Sequence, residues 1–308
     1  MPASSPDRAG AGEQARIGLL RGLFDDASLF PPASLSMAAA VAGHGRHATA
    51  WYAPLTGPFV CPDTRITELG SVLTASGVIG IDVSVIVTAG AAAIGSATDA
   101  VAADPRLRLR ALEVPATGAA ATTGTADDDP EQAIRAVADA LDAAPFPGAA
   151  AYIEVPPRVI AAGHAEDLLA IAADRGYRLK LRTGGTTSEA FPDATTLAAC
   201  LMAVAGRRAL VKCTAGLHHA VRHTAADTGF EHHGFLNVLL AVGAADAGAS
   251  LDEVAAVLAQ REPTVVAEQV RAIDADQAER IRARFVSVGT CSTDEPVSDL
   301  MKLGLLSR

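Results

Sequence analysis

Lysine is nearly missing from this chain. Among 308 residues there are 22 arginines but only three lysines, Lys180, Lys212 and Lys302. In so arginine-rich a background, a retained lysine points to a task that a guanidinium cannot perform. Cysteine is also sparse. Cys61, Cys200, Cys213 and Cys291 are scattered and form no CxxC pair, which argues against a disulfide framework or a cysteine-built zinc site. That usage leads us to expect a reducing, cytoplasmic compartment. No run of 18 strongly apolar residues occurs, and the richest stretch, near Val83 to Ile94, is diluted by Ala and Gly, so no membrane span is expected. The first residues, MPASSPDRAGAGEQAR, lack an apolar signal core and read as a frayed tail over residues 1–16. A basic stripe is absent too. The net charge is −10, which speaks for solubility and against nucleic acid as a partner.

What is present is a hydrophobic half and a clear alternation of elements. Strand-like runs occur at Thr49–Pro54, Ile81–Thr88, Leu107–Pro115, Ala150–Pro156, Tyr177–Thr183, Ala209–Thr214 and Phe285–Gly289. Helical patterns separate them, at Asp129–Ala144, Ala165–Arg175 and Ala194–Gly206 among others. Such alternation means βαβ units and a parallel sheet. Within the strands one face is apolar and the other polar: Ile153 and Val155 against Tyr152 and Glu154, Leu179 and Leu181 against Lys180 and Arg182, Val211 and Cys213 against Lys212 and Thr214. Central strands of an open doubly wound sheet are apolar on both faces, whereas a polar inner face suits a barrel lumen. No GxGxxG or GxxxxGK[ST] follows the first strand. The expectation is therefore one (β/α)8 TIM-like barrel over residues 17–308 with an N-terminal extension. Thr264–Val270 is the best sequence candidate for the eighth strand, and the segment around LFDDASLFPPASLSMAAAVAGHGRH is expected to be a lid or plug. Ala116–Asp129 reads as a flexible loop at the catalytic end.

Function in such barrels sits at the C-terminal strand ends. Reading only those positions gives Glu113, Glu154, Lys180, Arg182, Lys212 and Thr214, with the turns Gly184-Gly185 and Gly216. The two lysines occupy matching contexts, K-x-x-T-G and K-x-x-A-G, on runs expected to lie about 5 Å apart. Crowding and burial would lower a lysine pKa and free an amine for imine formation with a carbonyl substrate. The pair resembles that of class I aldolases of the deoxyribose-phosphate aldolase type, whose lysines stand in similar strand contexts; here they are 32 residues apart. The resemblance implies that Lys180 forms the Schiff base and Lys212 is its charged neighbour. It covers only the two strands and the chain between them. The second site reads VKCTAGLHH rather than ending in a Gly-Gly turn, Glu113 stands where that family has an aspartate, and the histidine loop has no counterpart. As a whole the chain also resembles a bacterial barrel family carrying K-x-R-x-G-G and K-x-T-A-G-L-H-H.

Five of the eight histidines, His218, His219, His223, His232 and His233, fall within residues 218–233. Imidazoles suit Zn, Fe, Cu, Ni or Mn, and His218, His219 and His233 are the best-placed candidates, although the spacing is not that of a helical H-E-x-x-H. Arg182 and Arg222 are candidates for holding a substrate carboxylate or phosphate, with Gly184, Gly185 and Thr214 beside them. Cys291 at a strand end is a candidate nucleophile, Cys213 is expected to pack against helices, and Asp25 and Asp26 either cap a helix or reach the barrel mouth.

Three readings follow. The first is a lyase acting through a strand-end lysine on a small anionic carbonyl compound, with Glu113, Glu154 or a histidine moving the proton and no cofactor required. The second is a divalent-metal enzyme (hydrolase, lyase, isomerase or oxygenase) built on the histidine loop. The third is a barrel that binds a ligand without turnover. Against the first stands an internal salt-bridge layer, since two acids and two bases on successive strands can neutralise one another. A homo-oligomer stays open.

Overall fold

A computed structural model describes residues 6–116, 130–160 and 165–308. Eight parallel strands close into a barrel: β1 (Phe24–Asp26), β2 (Thr56–Pro62), β3 (Ile81–Ile86), β4 (Leu107–Pro115), β5 (Ala150–Val155), β6 (Arg178–Arg182), β7 (Val211–Thr214) and β8 (Phe285–Thr290). Each pairs with its neighbour in sequence, and β1 closes the ring on β8 through Phe24↔Val288, Asp25↔Gly289 and Asp26↔Thr290. The fold is a (β/α)8 TIM-like barrel.

Strand alternation builds the two layers. Leu112, Val114, Ile153, Val155, Leu179, Leu181, Val211 and Cys213 are all buried in the hydrophobic core. Burial of these outward faces drives the helices onto the sheet. The helix Pro130–Ala143, for example, turns in Ile134, Val137, Ala138 and Leu141, an i, i+3, i+4, i+7 stripe. Cys213 lies in this outer core, as its face requires.

The sequence expectation fails at the barrel's first two strands. Thr49–Pro54 is no strand; it holds the end of the helix Met37–Thr49 and the start of a 3-10 turn at Ala53–Leu55. Its aromatics serve the surface, with Trp51 39% exposed and the Tyr52 hydroxyl donating to Asp294. The strand is the next segment, TGPFVCP, whose Gly57-Pro58 imitates a turn. Its register on β1 shifts between Phe24↔Thr56 and Asp26↔Phe59, an irregularity at which proline is tolerated.

Thr264–Val270 is not a strand either. It lies inside the helix Pro263–Ala272, where proline opens the first turn and Val266, Ala267 and Val270 share a buried side. The missing strand is β1, inside the segment expected to be a lid. Three residues, two of them aspartates, carry no legible alternation; pairing on both edges makes them a strand. Of the stretch expected to fray, residues 6–16 belong to the helix Pro6–Leu20, which buries Ala15, Leu19 and Leu20, and residues 1–5 lie outside the described residues. The loop expected at Ala116–Asp129 lies, from residue 117 on, outside the described residues.

Between β7 and β8 the chain adds a two-stranded hairpin, His223–Thr224 with Glu231–His232, and then four helices from Phe235 to Arg282. Among the described residues no helix is long and apolar enough to cross a membrane.

Candidate active site in the barrel lumen

The inward faces of the strands gather a buried charge cluster. Lys180 on β6 and Lys212 on β7 are direct register partners and are each 1% exposed. Their ammonium groups do not face one another bare, because carboxylates from β1, β4 and β5 are interposed. Lys180 Nζ lies 2.8 Å from Glu113 Oε2 and 2.7 Å from Glu154 Oε2. Lys212 Nζ lies 2.6 Å from Glu113 Oε1 and 2.5 Å from Asp25 Oδ2. Ser84 on β3 donates to Glu113 Oε1, and Ser287 on β8 donates to Asp25 Oδ2. Beneath Lys212 lies the ring of Tyr152, its centre 5.3 Å from Nζ, and Arg178 donates to the Tyr152 hydroxyl at 3.1 Å. Arg182 completes the set, its Nε 3.1 Å from Glu154 Oε1. Asp25, Glu113 and Glu154 thus meet Lys180, Lys212 and Arg182 in a balanced set, which is what burial of charge demands.

This balance overturns one expectation. Crowded lysines would lose basicity, yet the Lys212 pKa moves upward: burial pushes it down, and Asp25 and Glu113 more than reverse that. Glu113 is held well below the ordinary carboxylate range, since Lys180 and Lys212 outweigh its burial. Glu154 is also lowered, by Lys180 and Arg182 against burial. Asp25 goes the other way, because burial outweighs its contact with Lys212. Asp25 is therefore the lumen carboxylate easiest to protonate, while Lys212 is a fixed cation.

The cluster grades from closed to open along β5 and β6. The side chains of Lys180 and Lys212 are 2% exposed, that of Glu154 14% and that of Arg182 47%. Glu154 and Arg182 are where the charge network meets solvent. Lys180 Nζ is within hydrogen-bond reach of both glutamates, and an anion at the mouth can compete for Arg182.

The other sequence candidates divide. Gly184 and Gly185 are explained by close packing: a Cβ on Gly184 would sit 2.8 Å from Phe191 Cε1, and one on Gly185 would sit 2.7 Å from Ala190 Cβ. Thr214 gives its carbonyl to the Thr183 amide, and its hydroxyl fills the space left by Gly289, where a Cβ would come within 2.8 Å. Arg222 is spent inside the loop on Glu231 and His233. His233 uses both nitrogens, Nε2 donating to the Pro192 carbonyl at 2.7 Å and Nδ1 accepting from Arg222, and burial pushes its pKa down to about 4.

His219 contacts Asp299 at 2.9 Å, and His218 lies 3.5 Å from both Cys291 Sγ and Glu295 Oε2. His218, His219 and His233 thus face three different sets of partners and do not converge as the sequence suggested. Among the described residues no three His, Cys, Asp or Glu side chains are grouped so that they could hold a metal ion. Cys291 has an imidazole beside it, but burial raises its thiol, and burial with neighbouring histidines pushes His218 down to about 4, so neither activates the other. Asp26 turns away from Asp25 and pairs with His44 at 3.0 Å.

Sequence reasoning missed Ser84, Ser287, Gly57 and the place of Asp25 in the cluster. Ser84 and Ser287 are single polar residues on alternating strands, a signal that was available. Gly57 makes room for Asp25: a Cβ there would lie 2.2 Å from Asp25 Oδ1. Its purpose is invisible until β1 is recognised. Compared with protein-family models and with curated proteins, the chain matches none.

Proposed function

We propose that this barrel is a lyase-type enzyme in which Lys180 forms an imine with a small anionic carbonyl compound. The observation that carries the reading is the place of Lys180, between a buried glutamate and a glutamate that reaches the solvent-exposed Arg182. Arg182 takes the substrate's carboxylate or phosphate, which loosens its hold on Glu154. Glu154 then accepts a proton from the Lys180 ammonium, and the free amine adds to the carbonyl carbon. Protonation of the resulting hydroxyl by Glu154 expels water and leaves the iminium. That cation accepts the electron pair of the bond between its α and β carbons as the β-hydroxyl gives its proton to Glu154, which releases an aldehyde and leaves an enamine. Glu154 returns the proton to the α carbon, and water hydrolyses the resulting iminium, releasing the second product and restoring the lysine. Lys212 stays protonated between Asp25 and Glu113 and supplies a fixed positive field near the reacting nitrogen.

The test is reduction with borohydride in the presence of pyruvate, glyoxylate or dihydroxyacetone phosphate. A stable mass gain matching the reduced adduct is expected, and no gain with any of the three contradicts the reading.

The burial of both ammonium groups favours a second reading, a charge layer in a barrel that binds without turnover. Under it no carbonyl compound adds, and Lys180→Met alters stability or affinity alone.

A further inference from the structure

The N-terminal ends of β7 and β8, opposite the mouth that opens at Arg182, carry a cleft of about 610 Å³. It lies between the ends of the helices Ala194–Gly206 and Phe235–Asp246 and one face of the helix Ala275–Arg282. That face presents Asp276, Glu279 and Arg280, an i, i+3, i+4 set. Another wall is the pair of Arg284 and Asp246, whose Nε and Oδ1 are 3.0 Å apart. A second cavity of about 300 Å³ shares Asp246 and Arg280 with the first. Most of its remaining wall is apolar, including Leu240, Ala244, Ile273 and Ile281.

Arg208 is the unusual member of the cleft. It follows the helix Ala194–Gly206 in the left-handed region, at φ 53°. Its amide donates to the Ala205 carbonyl, and the next amide, of Ala209, donates to Val204. Glycine ordinarily fills this kind of helix stop. The chain itself uses glycine where it turns left-handed after other helices, at Gly77, Gly176, Gly248 and Gly304. A β carbon is strained there, so an arginine at this one helix end points to a task for its side chain. Within the fold that side chain has none. Among the described residues the side chains of Arg208, Arg280, Asp276 and Glu279 have no ion-pair or hydrogen-bond partner.

Four uncommitted charges, two of each sign, therefore line one cleft. An anion alone would meet Asp276 and Glu279, and a cation alone would meet the two arginines. A ligand carrying both charges is complementary to the whole set. The adjoining apolar compartment gives room for a hydrocarbon group, and both volumes lie in the range of small-molecule sites.

We propose that this cleft binds a free apolar α-amino acid of the leucine or phenylalanine class. Its carboxylate lies on Arg208 and Arg280, its ammonium on Asp276 and Glu279, and its side chain in the compartment beside Leu240, Ile273 and Ile281. The site shares no residue with the lumen cluster and does not depend on the chemistry at Lys180.

The experiment titrates the full chain with L-leucine and L-phenylalanine, followed by calorimetry and by amide NMR. One molecule per chain is expected, with amide shifts in residues 205–209 and 276–284. Glycine lacks the hydrocarbon group, and isoamylamine and isocaproate each lack one charge of leucine. Each of the three should bind about 10-fold or more weakly. Arg208→Gly separates binding from folding: it relieves the left-handed strain, so the unfolding midpoint is kept or raised, while leucine affinity falls about 10-fold or more. Arg280→Ala should lose affinity likewise. No binding of either amino acid, affinity undiminished in both variants, or shifts confined to the barrel mouth would overturn the proposal.

Discussion

Glu113 gives one carboxylate oxygen to each lysine: Oε2 to Lys180 at 2.8 Å and Oε1 to Lys212 at 2.6 Å. With 1% exposure it is the bridge that lets two ammonium groups share a dry lumen. Glu113→Gln removes the bridging charge and leaves two cations facing each other with only Asp25 and Glu154 between them. Breaking a buried pair in this way costs about 3–5 kcal/mol. Denaturant unfolding at neutral pH should show a loss of that size. A loss below about 1 kcal/mol, the range of exposed pairs, would mean that the lumen is wetter than described.

Gly57 is tied to Asp25 by space alone. Gly57→Ala would place a methyl 2.2 Å from Asp25 Oδ1 and push that carboxylate from Lys212. Overpacking of this kind costs about 1–3 kcal/mol. The unfolding midpoint of Gly57→Ala, set against that of an alanine at the open position Gly45, checks it. Equal midpoints would show that Asp25 can move without penalty.

Much of this was legible in the sequence. Six of the eight strands, and the inward direction of Glu113, Glu154, Lys180 and Lys212, follow from period-two alternation, which a strand face enforces residue by residue. β1 and β2 were not legible, since a three-residue strand has no period and Gly57-Pro58 reads as a turn. The electrostatics of the site were legible in part. The layer in which Glu113 and Glu154 neutralise Lys180 and Lys212 was one of the readings and is what the lumen holds, whereas without β1 in the ring Asp25 had no place beside Lys212. The histidines were visible as a cluster, but which rings meet depends on the cross-strand pairing of His223 with His232, and neither composition nor spacing reveals that pairing.

Acid should destabilise the fold through the lumen glutamates. Glu113 and Glu154 have folded pKa values below their ordinary 4.5, so the unfolded chain binds more protons as the pH falls. Their stabilisation is complete above about pH 4.5 and is lost as the pH drops through the folded values. Asp25 is shifted upward from 3.8 and acts with the opposite sign, taking its proton in the fold first and offsetting part of the loss. Stability followed from pH 7 downward should decline below about 4.5, and Glu154→Gln should flatten the slope. An unchanged slope in that variant would remove Glu154 from the account.

The histidine loop is anchored at Asn237. Its Oδ1 accepts from the Arg222 amide, and its Nδ2 donates to the carbonyls of Val257 and Gln260. Asn237→Ala leaves these buried groups unpaired, at about 1–3 kcal/mol. Asn237→Asp also sets a carboxylate against two carbonyls and should cost more. Amide exchange in residues 217–234 should quicken in both variants. Protection equal to the parent's would show that the loop is held elsewhere.

The central claim is that Lys180, at the edge of the charge cluster, is the nucleophile, and that Lys212 is a locked cation. Peptide mapping of the borohydride-reduced protein tests it most directly. The adduct should lie on Lys180, vanish in Lys180→Met and survive on Lys180 in Lys212→Met, at reduced yield. An adduct mapped to Lys212, or none on either lysine while the protein stays folded, contradicts the account.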